Sequence, residues 1–173
     1  MIYRLIEATE YEALNDFLYE AIFIPDGAEP PPHDVILTPS LNHYIKDFGR
    51  VGDCCFVCED GGQIVGAAWS RILDEPECRG YGNIGGGIPE LAISVLPEYR
   101  NCGIGTKLLN RLHSSLSAEG YERISLSVQK ANPALRLYER NGYETIKAQD
   151  EELIMVKHLG LCSRLSACTR TLQ

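Results

Sequence analysis

Several common bases of protein function are missing from this 173-residue chain. No apolar run approaches the roughly 18 residues that a membrane-spanning helix needs. Met1 to Leu5 also lack the apolar core and small-residue cleavage site of a secretory signal, so no membrane partner and a cytoplasmic location are expected. Basic charge is in deficit: 16 Lys and Arg face 24 Asp and Glu, a net charge of −8. Binding to nucleic acid requires clustered cationic side chains, so no nucleic acid partner is expected. The four histidines, His33, His43, His113 and His158, are scattered without triad or ligand spacing, and no metal is expected.

Cysteine is present, but not as a framework. The seven are odd in number and come without an export signal, which favours reduced thiols. Cys55-Phe56-Val57-Cys58 has the spacing of a metal or redox pair. It lies in an apolar run that reads as a strand, however, where positions three apart face opposite sides.

What remains is ordinary for one compact domain: 45% hydrophobic and 23% charged residues. Residues 3 to 7 read as a strand, and Thr9-x-x-Glu12 matches a capping box opening a helix with Leu14, Phe17, Leu18, Ala21 and Ile22 on one face. Prolines at 25 and 30 to 32 make residues 25 to 37 an extended loop, and a second helix opens at Thr38-Pro39 and presents Leu41, Tyr44, Ile45 and Phe48. Asp60-Gly61-Gly62 joins two strands, Cys54 to Glu59 and Gln63 to Ile72, as an antiparallel hairpin. A loop over 74 to 89 leads into the strand Glu90 to Leu96. A helix to about Glu119, ended by Gly120, then carries Ile104, Leu108, Leu109, Leu112 and Leu116 on one stripe. After a strand from Arg123 to Val128, Asn132-Pro133 caps a short helix over Ala134 to Arg140, and strands Tyr143 to Lys147 and Leu153 to Lys157 close the order. The reading is one mixed α/β domain over 3–157 with a tail over 158–173, which docks, pairs subunits into a homodimer or stays disordered.

The motif that carries chemistry is a strand, then Arg100-x-x-Gly103-x-Gly105, then an amphipathic helix. Glycines allow a sharp turn that brings successive amides to a helix start, where amides and dipole together favour a phosphate. Gly80-Tyr81-Gly82-Asn83-Ile84-Gly85 matches the dinucleotide fingerprint by letter, but a strand follows instead of a helix, so it reads as a coincidental loop. Gly105-Thr106-Lys107 has the wrong order for a P-loop.

The run Pro89-Glu90-Leu91-Ala92-Ile93-Ser94-Val95 through Arg100-Asn101-Cys102-Gly103-Ile104-Gly105-Thr106 resembles motif A of the GCN5-related N-acetyltransferase (GNAT) superfamily. Leu126-Ser127-Val128-x-x-x-Asn132 followed by Ala134-x-x-x-Tyr138-x-x-x-Gly142-Tyr143 resembles its motif B. The resemblance implies a mostly antiparallel sheet flanked by helices, and acetyl-coenzyme A as cosubstrate. On it, Arg100, Asn101, Cys102, Gly103, Ile104, Gly105 and Thr106 hold the pyrophosphate. Backbone groups of Ile93 and Val95 hold the pantetheine arm, which Asn132 also contacts. Glu90, sharing a strand face with Ala92 and Ser94, is the expected base for the acceptor amine, directly or through water. Tyr138 is the expected acid for the leaving thiolate. Plainer readings exist for both: a polar residue at a strand start, and core filling.

The expected activity is direct transfer of acetyl to a primary amine of a small molecule or protein, in a ternary complex. The alternatives are a non-catalytic acyl-coenzyme A sensor and a transferase of another acyl group. Trp69 and Tyr81 are candidates for the acceptor pocket, which residues 22 to 40 and 74 to 89 would shape.

Overall fold

A computed structural model describes residues 1–77 and 79–160. Cys78, Cys162, Cys168 and the tail from residue 161 lie outside the described residues. Seven strands form one sheet: β1 (Ile2–Leu5), β2 (Cys54–Asp60), β3 (Gln63–Arg71), β4 (Glu90–Val95), β5 (Arg123–Gln129), β6 (Glu144–Ala148) and β7 (Glu152–His158). Their order is β1-β2-β3-β4-β5-β7-β6, and every neighbouring pair is antiparallel except β4 and β5. The helices are α1 (Leu14–Ala21), α2 (Pro39–Asn42), α3 (Ile104–Ala118) and α4 (Leu135–Arg140). This is the mixed, mostly antiparallel architecture expected.

Two apolar layers cover the sheet. On one face, Ile104, Leu108, Leu109, Leu112 and Leu116 of α3 are buried with Val65, Leu91, Ile124 and Leu126. Burying each such side chain contributes about 1.5–3 kcal/mol. On the other face, Leu14, Phe17 and Leu18 of α1 pack with Val57, Ala67 and Trp69. Cys58 belongs to the first layer and Cys55 to the second, so strand alternation separates the two thiols as expected.

Local chemistry explains where elements begin and end. Asp60 pairs with Gln63 across Gly61 and Gly62, whose φ of 58° and 86° suit the two-residue hairpin. The end of α3 is closed by Tyr121 N–H on Leu116 O (3.0 Å) and Gly120 N–H on Ser117 O (3.2 Å), the paired bonds of a Schellman motif.

Several boundaries differ from expectation, the largest at α2, which ends at Asn42 and leaves Tyr44, Ile45 and Phe48 beyond the helix expected to carry them. The capping box is made by Glu7 and Glu10, not by Thr9 and Glu12, and it opens a 3-10 turn over Ala8–Ala13. Arg4 fixes the Glu10 carboxylate at 2.7 Å while that carboxylate accepts the Glu7 N–H, which draws the chain into its turn early. The loop over 25 to 37 contains a further 3-10 turn, His33–Leu37. At the other end, β7 includes His158, and Leu159 is buried with its N–H on Glu122 O, so the fold reaches past residue 157.

Candidate active site

The parallel pair β4 and β5 is held at one register position, Glu90 opposite Ser125, with Ser125 N–H donating to Pro89 O. Beyond it the strands part. Strand alternation decides which backbone groups face the opening. Leu96 N–H reaches β3 at Val65 O, so even-numbered residues of β4 point toward β3. The N–H and C=O groups of Leu91, Ile93 and Val95 therefore point toward β5, into the seam. The Val95 carbonyl accepts Arg100 Nε at 2.8 Å.

Below the seam lies the start of α3. Asn101 and Gly103 have φ of 62° and 78°, and this left-handed pair turns the chain from the short turn over Pro97–Tyr99 into the helix. Gly103 is the N-cap residue. Amides at such a helix start have no partner within the helix, and they can hold an anion. Gly105 lets α3 begin close to α4, since a Cβ there would meet Leu137 Cδ2 at 3.1 Å. The Arg100 guanidinium is engaged elsewhere, with Nη2 on Glu20 of α1 at 2.8 Å. Cys102 is exposed and makes only a weak contact with Arg100 O.

A cleft of about 330 Å³ opens on the seam, lined among others by Glu90, Ala92, Ile93, Ser127, Asn132 and Tyr138. Among the described residues, Glu90 and Glu152 are its charged lining residues, both acidic. Glu90 is 2% exposed. Its Oε1 accepts the Tyr44 hydroxyl and the Gly82 N–H (2.7 Å), and its Oε2 has no partner among the described residues. Burial lifts the carboxyl to about 7 against the opposing pull of those two donors. Tyr138, on α4, is buried, and burial pushes its phenol up to about 12, so it is protonated at neutral pH. Asn132 lines the cleft wall, but its Oδ1 accepts the Ala134 N–H at 2.9 Å in the turn before α4, whose N-cap is Ala134 and not the Asn132 expected from sequence.

The family described as Acetyltransferase (GNAT) family matches residues 12–143. The chain belongs to this family. A curated relative, the [ribosomal protein bS18]-alanine N-acetyltransferase of Haemophilus influenzae, is 37% identical over 54 residues, a match spanning 31% of this chain and 37% of that relative. Among solved structures, the ribosomal-protein-S18-alanine N-acetyltransferase of Escherichia coli superposes with a TM-score of 0.62 at 17% identity, covering 95% of this chain and 97% of that one. The yncA protein of Salmonella typhimurium, solved with its cofactor acetyl-CoA, gives 0.63 at 18% identity, covering 97% and 99%.

Within this GNAT fold, the sequence-predicted residues are not all brought together. Glu90, Ile93, Asn132 and Tyr138 line one cleft, Arg100 to Thr106 form the turn and first residues of α3, and Val95, outside the cleft lining, has its carbonyl on Arg100. Of the aromatic candidates, Tyr81 lines the cleft and is 50% exposed. Trp69 does not: it is buried, with its indole N–H on Tyr44 O at 3.1 Å.

Sequence reasoning missed Tyr44, which looked like one more apolar helix position, and it misjudged Gly80 and Gly82. Those glycines are not coincidental. A Cβ at Gly80 would overlap the Glu90 carboxylate, and one at Gly82 would overlap the β5 backbone at Leu126 and Ser127. The G-x-G spacing was the available signal. It marks close backbone approach to a side chain and a strand, not to a dinucleotide.

Proposed function

We propose that this chain transfers the acetyl group of acetyl-coenzyme A to a primary amine by direct attack, with both substrates bound together. One observation carries the reading: the opening between β4 and β5 exposes strand backbone to the cleft that also holds Glu90 and Tyr138. The residues fit the cosubstrate. The amides of the turn from Arg100 to Thr106 would hold its pyrophosphate, the seam-facing groups of Ile93 and Val95 its pantetheine arm, and Asn132 the same region.

An amine of pKa about 10 is protonated at neutral pH and must lose a proton before it attacks. Glu90 takes that proton at the cleft floor. Its pKa of about 7 leaves it substantially ionised there while keeping it basic enough to act. A seam-facing N–H of β4 faces the charge that develops on the thioester oxygen. Tyr138 gives its proton to the departing thiolate, and no covalent intermediate on the enzyme is required. A cleft whose charged lining is acidic suits a cationic acceptor, and the names of the ribosomal-protein relatives support a protein amine among the candidates.

The test is free thiol release from acetyl-coenzyme A with a panel of small amines and peptides bearing free N-termini. Acceptor-dependent release matched by acetylated product by mass is expected. Tight coenzyme A binding with no release for any amine would favour a sensor, and release only from longer acyl thioesters would favour another acyl group.

A further inference from the structure

The contacts around Glu90 converge on a residue that lies outside both sequence motifs. Tyr44 follows the short helix α2, and its backbone is clamped from below. Trp69 Nε1 donates to Tyr44 O. The Arg71 guanidinium donates to the carbonyls of His43 (2.9 Å), Lys46 (2.6 Å) and Asp47 (3.0 Å), on either side of Tyr44. The ring is thus carried on a rigid support to a site 46 residues away in sequence, where the hydroxyl donates to Glu90 Oε1. The same hydroxyl accepts the Tyr81 N–H at 2.8 Å. One residue further on, the Gly82 N–H donates to the same carboxylate oxygen.

We propose that Tyr44 is a positioning residue that acts through Glu90, locking its carboxyl and the loop over 80–82 together so that one side chain sets both the base and the acceptor wall formed by Tyr81. The inference rests on the transferase reading. Its geometry has no slack: the backbone at Gly80 lies against Glu90, so the carboxyl is held between the loop on one side and Tyr44 on the other. A change that frees either side frees both.

The other groups facing Glu90 leave Tyr44 as its main side-chain donor. Opposite it on β3 is Arg71, whose Nε and Nη2 are paired with Asp53 at 2.9 and 2.6 Å. Opposite it on β5 is Ser125, whose hydroxyl has no partner. His43 stacks at a tilt on the Tyr44 ring, and its Nε2 is buried without a partner. A hydroxyl donating to a carboxylate favours the charged form, so its loss raises the carboxyl pKa.

Tyr44→Phe keeps the ring and removes only the hydroxyl. The acid limb of kcat/KM is expected to move up by about one pH unit, the size of one hydrogen bond to a charged group. Activity at pH 6 then falls about tenfold and recovers at higher pH, while KM rises for the acceptor and not for acetyl-coenzyme A. Gly80→Ala, which forces the loop and the carboxyl apart while leaving the Tyr44 side chain itself unaltered, is expected to reproduce both effects. A second readout does not depend on turnover: the carboxyl carbon of Glu90, labelled with 13C and assigned by its loss in Glu90→Gln, should titrate at a higher midpoint in Tyr44→Phe than in the wild type. An unchanged midpoint overturns the positioning role. So does an acceptor KM that moves no more than that of acetyl-coenzyme A. Absence of thiol release from the wild type with every amine would instead sink the transferase reading, leaving the shifted carboxyl midpoint to stand or fall on its own.

Discussion

At Glu90 two effects compete: burial raises the carboxyl from its ordinary 4.5 and the Tyr44 and Gly82 donors lower it, with burial winning to leave it at about 7. On the proposed role of Glu90 as base, the rate is expected to rise with pH through about 7 as the carboxyl ionises. Tyr138, at about 12, stays protonated throughout and adds no limb in this range. Glu90→Gln is therefore expected to abolish the limb near pH 7 and to lower kcat by about 10²–10⁴-fold, the usual contribution of general acid–base groups. Tyr138→Phe should lower kcat within the same range while keeping the limb, as pH–rate profiles of both variants will show. Strand alternation in the sequence was enough to place Glu90 on the face of Ala92 and Ser94. Its depth was not legible, because the cover comes from the loop at 80–82 and from Tyr44, which reach it only through tertiary folding.

Elements were legible in proportion to their periodicity. The stripe from Ile104 to Leu116 and the glycine at 120 marked α3 at both ends, and the two-residue glycine turn marked the hairpin of β2 and β3. The start of α1 was misread because two pairs at capping-box spacing, Thr9 with Glu12 and Glu7 with Glu10, compete for the cap, and the winner is chosen by Arg4 on β1. The same kind of partnership holds the segment after α2, where side-chain exposure of 4% on both Arg71 and Asp53 makes their ion pair a buried one. Sequence offers no sign of it, since the two residues are 18 positions apart. Asp53→Ala leaves the guanidinium buried and unpaired, and a loss of about 3–5 kcal/mol is expected in urea unfolding. Because Arg71 also holds the carbonyls around Tyr44, any folded remainder should lose activity as well. A contrasting outcome is expected at the start of α3. Gly103→Val places a β-branched residue at φ 78°, a strain of about 1–3 kcal/mol, and it should weaken coenzyme A binding in calorimetry through the displaced amides.

Over the whole molecule, buried titrating groups lie on both faces of the sheet and act on stability with opposite signs. Glu90, on the α1 face, has a folded pKa of about 7 against 4.5 unfolded. The folded chain keeps a proton that the unfolded chain releases, so this contribution is full below pH 4.5 and is lost as pH rises through about 7. His113, on the α3 face with Nε2 against the Tyr143 hydroxyl at 2.8 Å, is lowered by burial from 6.5 to about 4. It refuses a proton that the unfolded chain accepts, so its contribution is present above 6.5 and is lost as pH falls through about 4. At about 1.4 kcal/mol per unit, each shift of this size amounts to about 3 kcal/mol, and the two slopes cancel between pH 4.5 and 6.5. His43, also lowered by burial, tilts the balance slightly toward loss in acid. The Arg4 and Glu10 pair enters only below this window, because Glu10 is held down to about 2 by the hydrogen bonds from Arg4. Wild-type stability should accordingly change little between pH 6.5 and 5. Glu90→Gln removes one of the opposed slopes and exposes the other, so its unfolding free energy should drop by about 2 kcal/mol over the same interval. Urea titrations of both proteins at the two pH values measure the difference directly. Parallel pH dependences would mean that Glu90 does not hold its proton in the folded state, and with that the pKa near 7 assigned to the base would be wrong.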